Sequence, residues 1–157
     1  MEIRTSDKGW EFGDMDGIVA ELLRLLPQCA TAEDDAARKR IFSAPTGGRD
    51  TDADAEWHEY VEPELRELFK SHVDVVAADL AAMKEKKETF TLHLPAGHGR
   101  AWIHTLNQAR LALGARYDVT EEDINGRRQQ SGAKGFAIMQ IDFYGMLISM
   151  LLGSTEL

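Results

Sequence analysis

The run from Phe136 to Leu152, FAIMQIDFYGMLISMLL, limits what this chain can fold into more than any other stretch. It falls short of the roughly 20 apolar residues that a bilayer crossing takes, and Asp142 would put a charge at mid-depth. The pattern predicts a helix over 132–152 that is apolar nearly all round. Its one polar line is Asp142, Gly145 and Ser149, at i, i+3 and i+7. A helix with so little polar surface has to be central in a bundle or shared with a second copy. Self-association through this helix, as a homodimer and without a membrane, is therefore expected.

A second long helix is predicted over 96–117. From Arg100 to Tyr117, Trp102, Leu106, Ala109, Leu113 and Tyr117 share one face at about 100° per residue, with Ile103 and Arg110 at its edge. Asn107, Leu111 and Gly114 make a neighbouring arc. An amide and a guanidinium thus lie between two apolar arcs. A buried guanidinium needs an acid, and Asp142 is the only charge in the final apolar helix. The expectation is a buried polar cluster of Asn107, Arg110, Asp142 and Ser149 that fixes helix register. A catalytic or ligand-binding use of His104, Asn107, Arg110 and Asp142 is the alternative.

The remaining chain supplies shorter elements. Residues 1–13 read as a hairpin around Asp7-Lys8-Gly9. A helix follows from Asp14 or Asp16, with Met15, Ile18, Val19, Leu22, Leu25 and Leu26 as its stripe and Pro27 as its end. Thr31, with Asp34 three residues on, makes a capping box that opens a surface helix over about 32–43. Pro45 to Arg49 is a loop, Thr51–Tyr60 a short acidic helix, and Pro63 a fresh start for a helix running to about Lys87. In 88–94, Phe90, Leu92 and Leu94 alternate with Thr89, Thr91 and His93, which is the period of a half-buried strand. With the hairpin it makes a sheet of three strands. Thr120-Glu-Glu-Asp caps a short acidic turn. The fold expected is one mainly α domain over 1–157. It has about five helices in a bundle and a small antiparallel sheet, the acidic helical half occupying 14–87.

Charge narrows the partners. The net charge is −9, and residues 1–80 hold nine Lys and Arg against nineteen Asp and Glu, while residues 81–157 are nearly balanced. Such a surface repels phosphate backbones, so nucleic acid is an unfavoured partner. The helix-turn-helix flavour of 113–124 fails too, because its second segment is acidic. Arg127, Arg128 and Lys134 flank the start of the last helix, whose free backbone amides suit an anion. They offer the weaker alternative of a DNA-binding regulator. One cysteine, Cys29, excludes an intrachain disulfide and fits a reducing cytosol.

No metal or cofactor is expected. Asp50, Asp52 and Asp54 start like a calcium loop, but Ala55 stands where its glycine belongs and Val61 where its final glutamate belongs. His58-Glu59-Tyr-Val-Glu62 lacks the second histidine of a zinc-protease helix, and His93, His98 and His104 follow no ligand spacing. Gly97-His-Gly99 lacks the third glycine of a phosphate loop.

Ala101-Trp102-Ile103, Leu106-Asn107, Arg110-Leu111, Leu113-Gly114 and Arg116-Tyr117 together resemble the signature of a bacterial family, domain of unknown function 2017. Tyr117 departs from it where an aliphatic residue is usual. The resemblance implies a mostly helical cytosolic protein with no assigned activity. Members are often encoded beside the adaptor of a Clp protease, which implies a regulatory role. The function expected is a non-enzymatic protein-interaction or regulatory module, homodimeric and cytoplasmic.

Overall fold

The N-terminal strands pair first in the chain. In the computed structural model, which describes residues 1–126 and 131–153, β1 (Glu2–Ser6) and β2 (Gly9–Met15) form an antiparallel hairpin, Ile3 opposite Phe12. Gly9 has φ +129, and a Cβ there would overlap the Leu94 carbonyl oxygen, so only glycine fits where the strands close up. β4 (Thr89–Pro95) pairs with the other edge of β2, Phe12 opposite Leu92, and also with β3 (Lys84–Lys86). The sheet therefore has four strands in the order β1-β2-β4-β3. Trp10, Phe12 and Met15 of β2 and Phe90, Leu92 and Leu94 of β4 are all buried.

Two expectations fail here for local reasons. Met15 belongs to the strand, not to the helical stripe. The register shifts between Phe12 and Met15, with Asp14 at φ +50, and this irregularity turns Met15 back into the core. Lys84 to Lys86 is a strand, not the solvated end of a helix. The helix before it stops at Ala81, and Lys87 and Glu88, at φ +52 and +64, make a tight two-residue turn between β3 and β4.

Most helix starts follow their capping residues. Asp16 accepts from the Val19 amide at 2.9 Å and opens α1 (Gly17–Arg24); α2 (Leu26–Cys29) follows, with Pro27 in its first turn and not as a terminator. Ile18, expected in the buried stripe of α1, is 69% exposed. Asp34, not Thr31, caps α3 (Asp35–Ile41), the Thr31 hydroxyl donating instead to the Gln28 carbonyl, and Asp50 caps α4 (Thr51–Tyr60). Asp54 is held by the Thr46 amide at 3.0 Å, the Thr46 hydroxyl at 2.8 Å and the Gly48 amide at 2.8 Å, which fastens the Pro45–Arg49 loop onto α4. Those bonds, the Thr46 amide first, hold its carboxyl below the usual aspartate range.

α5 (Glu62–Ala81) leads into β3 and β4, then a 3-10 turn at Ala96–His98, and then α6 (Gly99–Arg116). α7 (Glu121–Ile124) carries a complete capping box between Thr120 and Asp123, and α8 (Gly132–Gly153) closes the described chain. The fold is mainly helical with a small antiparallel sheet. α6 lies at its centre, packed against α2, α3, α5 and α8, with Trp102, Leu106, Ala109 and Leu113 in the core. Tyr117, past its end, is exposed. Polar bonds fix α6 to the 28–34 segment: Gln108 donates to the Ala30 carbonyl, and Arg116 to the carbonyls of Cys29 and Thr31. α8 buries Ala137, Gln140, Ile141, Tyr144, Leu147 and Leu151, and the Tyr144 hydroxyl donates to the Leu22 carbonyl at 2.7 Å.

Candidate functional site

α6 and α8 lie side by side, yet their polar residues do not meet as a buried cluster. Asn107, Asp142 and Ser149 are exposed and Arg110 is half-buried. No ion pair joins Arg110 to Asp142. Arg110 instead donates from Nε to the Ile141 carbonyl at 3.2 Å, and its guanidinium lies over Gly145, within 3.3 Å of where a Cβ would stand. The reason is angular. Tyr144, fully buried, is two residues beyond Asp142 and so about 160° round the helix, which turns Asp142 outward. Arg110 satisfies one donor on a helix carbonyl and leaves the rest toward solvent, so no carboxylate has to be desolvated.

The other expected positions also separate. His104 is exposed on the α5 side, its ring stacked on His72 with centroids 4.9 Å apart. Nδ1 of His72 is buried without a hydrogen-bond partner. Burial of that ring, with His104 and Arg100 nearby, holds its pKa below the usual histidine value. Lys134 lies 3.2 Å from Asp123 Oδ2 and donates to the Asp118 carbonyl, latching α8 to the α7 turn. The Thr120 amide, the Thr120 hydroxyl and Lys134 hold the Asp123 carboxyl far below the usual aspartate range. Arg127 and Arg128 lie outside the described residues.

Two side-chain clusters went unread in the sequence. Asp79, buried in α5, accepts from the Trp102 indole at 2.8 Å and from His98 Nδ1 at 2.9 Å, joining α5 to the start of α6. Only the i, i+4 spacing of His98 and Trp102 hinted at it. Glu62 is buried among Arg38 and His58 at 3.4 Å and Arg66 at 3.7 Å. Burial raises its pKa, but the Arg38 hydrogen bond and the Arg38 and Arg66 charges outweigh that and leave it lowered. His58, Glu62 and Arg66 recur at i, i+4 and i+8, the one signal that pointed there. Among the described residues no three His, Cys, Asp or Glu side chains gather as metal ligands.

Two open surfaces lie along α6 and α8. One is a groove of about 400 Å³ between α6, α7 and α8, containing Asn107 and Arg110. The other is the outer face of α8. Phe136, Met139, Met146 and Met150 there each keep 39–44% of their surface, with partly buried Phe143 among them. Phe136 also lines a small apolar hollow of about 230 Å³ with Ile18 and Leu22, so the patch continues onto α1.

No curated protein and no solved structure matches the chain. A family model does match, over residues 4–154, described as a domain of unknown function, DUF2017. With nearly its whole length covered by that model, the chain belongs to the DUF2017 family.

Proposed function

We propose that the protein is a non-enzymatic, cytoplasmic interaction module that pairs with a second copy of itself through the outer face of α8. The observation that carries this reading is spacing. Phe136, Met139, Phe143, Met146 and Met150 follow one another by three, four, three and four residues, the seam of a two-helix coiled coil. Four of the five are well exposed, although α8 has already buried a separate face against α6.

The area is of the right order. With Ile18 they leave roughly 450 Å² of apolar side chain open per copy, taking a large side chain as roughly 200 Å². A standard interface buries about 800 Å² per partner, a little over half of it apolar. Met supplies a seam that adapts to its partner.

Contrary to the reading of 136–152 as too short, α8 over its 22 residues, at mean hydropathy 1.6, is long and apolar enough to cross a membrane by length and composition. A third of that window is buried within the domain, Tyr144 is bonded to α1, and Asp142 stands on the open side. Those features favour a protein partner over lipid.

Sedimentation equilibrium tests the reading. A dimer at micromolar concentration is expected from the full chain. The double variant Met139→Lys/Met146→Lys should sediment as a monomer with an unchanged circular dichroism spectrum. A monomeric parent protein, or a parent protein that floats with lipid vesicles, would remove it.

A further inference from the structure

The groove between α6, α7 and α8 is a separate surface with chemistry of its own. Its floor is one arc of α6, where Leu111 supplies apolar area and Gly114 supplies space: a Cβ at Gly114 would meet nothing within 4 Å. Val119, Ile124 and Ile141 wall it with hydrocarbon.

Polar donors converge on this apolar trough. Arg110 is set in place by the bond from its Nε to the Ile141 carbonyl and by the flat seat that Gly145 provides. Among the described residues its two terminal nitrogens find no protein partner. The Asn107 amide and the guanidinium of Arg40, which reaches the groove from α3, have none either. A guanidinium already fixed at Nε loses little further freedom when it captures an acid. Glu121 is the one carboxylate among the lining residues, against two guanidinium groups.

We propose that this groove binds an aliphatic carboxylate: a branched hydrocarbon body on Leu111, Ile124 and Ile141, with its carboxylate on Arg110 and Asn107. A cavity lined mainly by hydrocarbon with a few fixed polar groups is the usual build of a small-ligand site. Charge-assisted pairing to a fixed guanidinium supplies orientation. Phosphate groups fit less well. The walls are apolar, the capping box already occupies the Thr120 and Asp123 amides at the start of α7, and the chain's net charge of −9 repels multiply charged anions.

The test titrates the full chain, with labelled Ile, Leu and Val methyl groups, with N-acetyl-leucine and separately with N-acetyl-leucinamide. The acid should shift the Ile124, Ile141 and Leu111 methyl resonances saturably, and the amide should bind about tenfold more weakly or worse. Arg110→Gln should abolish that preference for the acid. Gly114→Leu should block both probes by filling the trough, while Met146→Lys, on the outer face of α8, should leave binding intact. Equal shifts from acid and amide, or none from either, would overturn the proposal. So would unchanged selectivity in a folded Arg110→Gln protein.

Discussion

Arg116, in the last turn of α6, donates from Nε to Oδ1 of Asp34 at 2.7 Å, across 82 residues of sequence. The same carboxylate caps α3 through the Ala37 amide at 3.0 Å. One guanidinium therefore holds a helix cap together with the carbonyls of Cys29 and Thr31. Burial works against the Asp34 charge, but the Ala37 amide and Arg116 outweigh it and lower its pKa. Arg116→Ala leaves those carbonyls without their donor and should destabilise the protein by about 2–3 kcal/mol, read from the urea midpoint. Arg116→Lys should recover only part, since one ammonium cannot reproduce the fork. An Arg116→Ala midpoint equal to the parent's would show that the segment needs no such tie.

Gly99 opens α6 directly beneath the Trp10 ring. An added Cβ would lie 2.7 Å from Cη2 and 2.9 Å from Cζ3 of an indole that is itself buried between sheet and helix. Alanine would add at most about 1 kcal/mol of helix propensity, and overpacking against a rigid ring costs about 1–3 kcal/mol. Gly99→Ala should therefore lower the unfolding midpoint and change Trp fluorescence. A midpoint at or above the parent's would mean the sheet can retreat from the helix freely.

His72 makes stability depend on pH. Its folded pKa lies below the ordinary 6.5, first because the ring is buried and then because His104 and Arg100 of α6 stand close. As pH falls through 6.5 toward the folded value, the unfolded chain takes up a proton that the native state resists. Stability is thus complete above 6.5 and declines on acidification through that window. The lowered carboxyls of Asp34 and Glu62 act further down, below their ordinary values of 3.8 and 4.5. Between pH 7.5 and 5.5 the parent should lose more stability than His72→Phe. Parallel pH profiles of the two proteins would refute the assignment.

How far the chain could be read from residues alone varies with how local the cause is. Asp16 and Thr120 each cap the helix expected of them, because a cap is decided by a side chain and the amide three residues on, while Asp34 takes the cap expected of Thr31. The acidic helix Thr51–Tyr60 has the bounds that its spacing predicts. β3 was not legible: Lys-Glu-Lys has no apolar alternation, and its turn uses Lys87 and Glu88 in left-handed backbone where glycine or asparagine would have signalled it. The Arg110–Asp142 pairing failed for a different reason. Periodicity says which residues share a face of one helix, but not how that face is rotated toward its neighbour. The groove, the Asp79 cluster and the Arg38 arm of the Glu62 cluster join elements distant in sequence, so they emerge only from packing.

The pairing of α8 with its counterpart in a second copy is most directly read by disulfide trapping. In a Cys29→Ser background, a single cysteine introduced by Phe143→Cys lies in the middle of the apolar seam, and one introduced by Glu59→Cys lies exposed on α4. Mild oxidation at low protein concentration should link the Phe143→Cys protein into a covalent dimer and leave the Glu59→Cys protein monomeric. Equal cross-linking of the two, or none at Phe143→Cys while the protein stays folded, would contradict self-association through this helix.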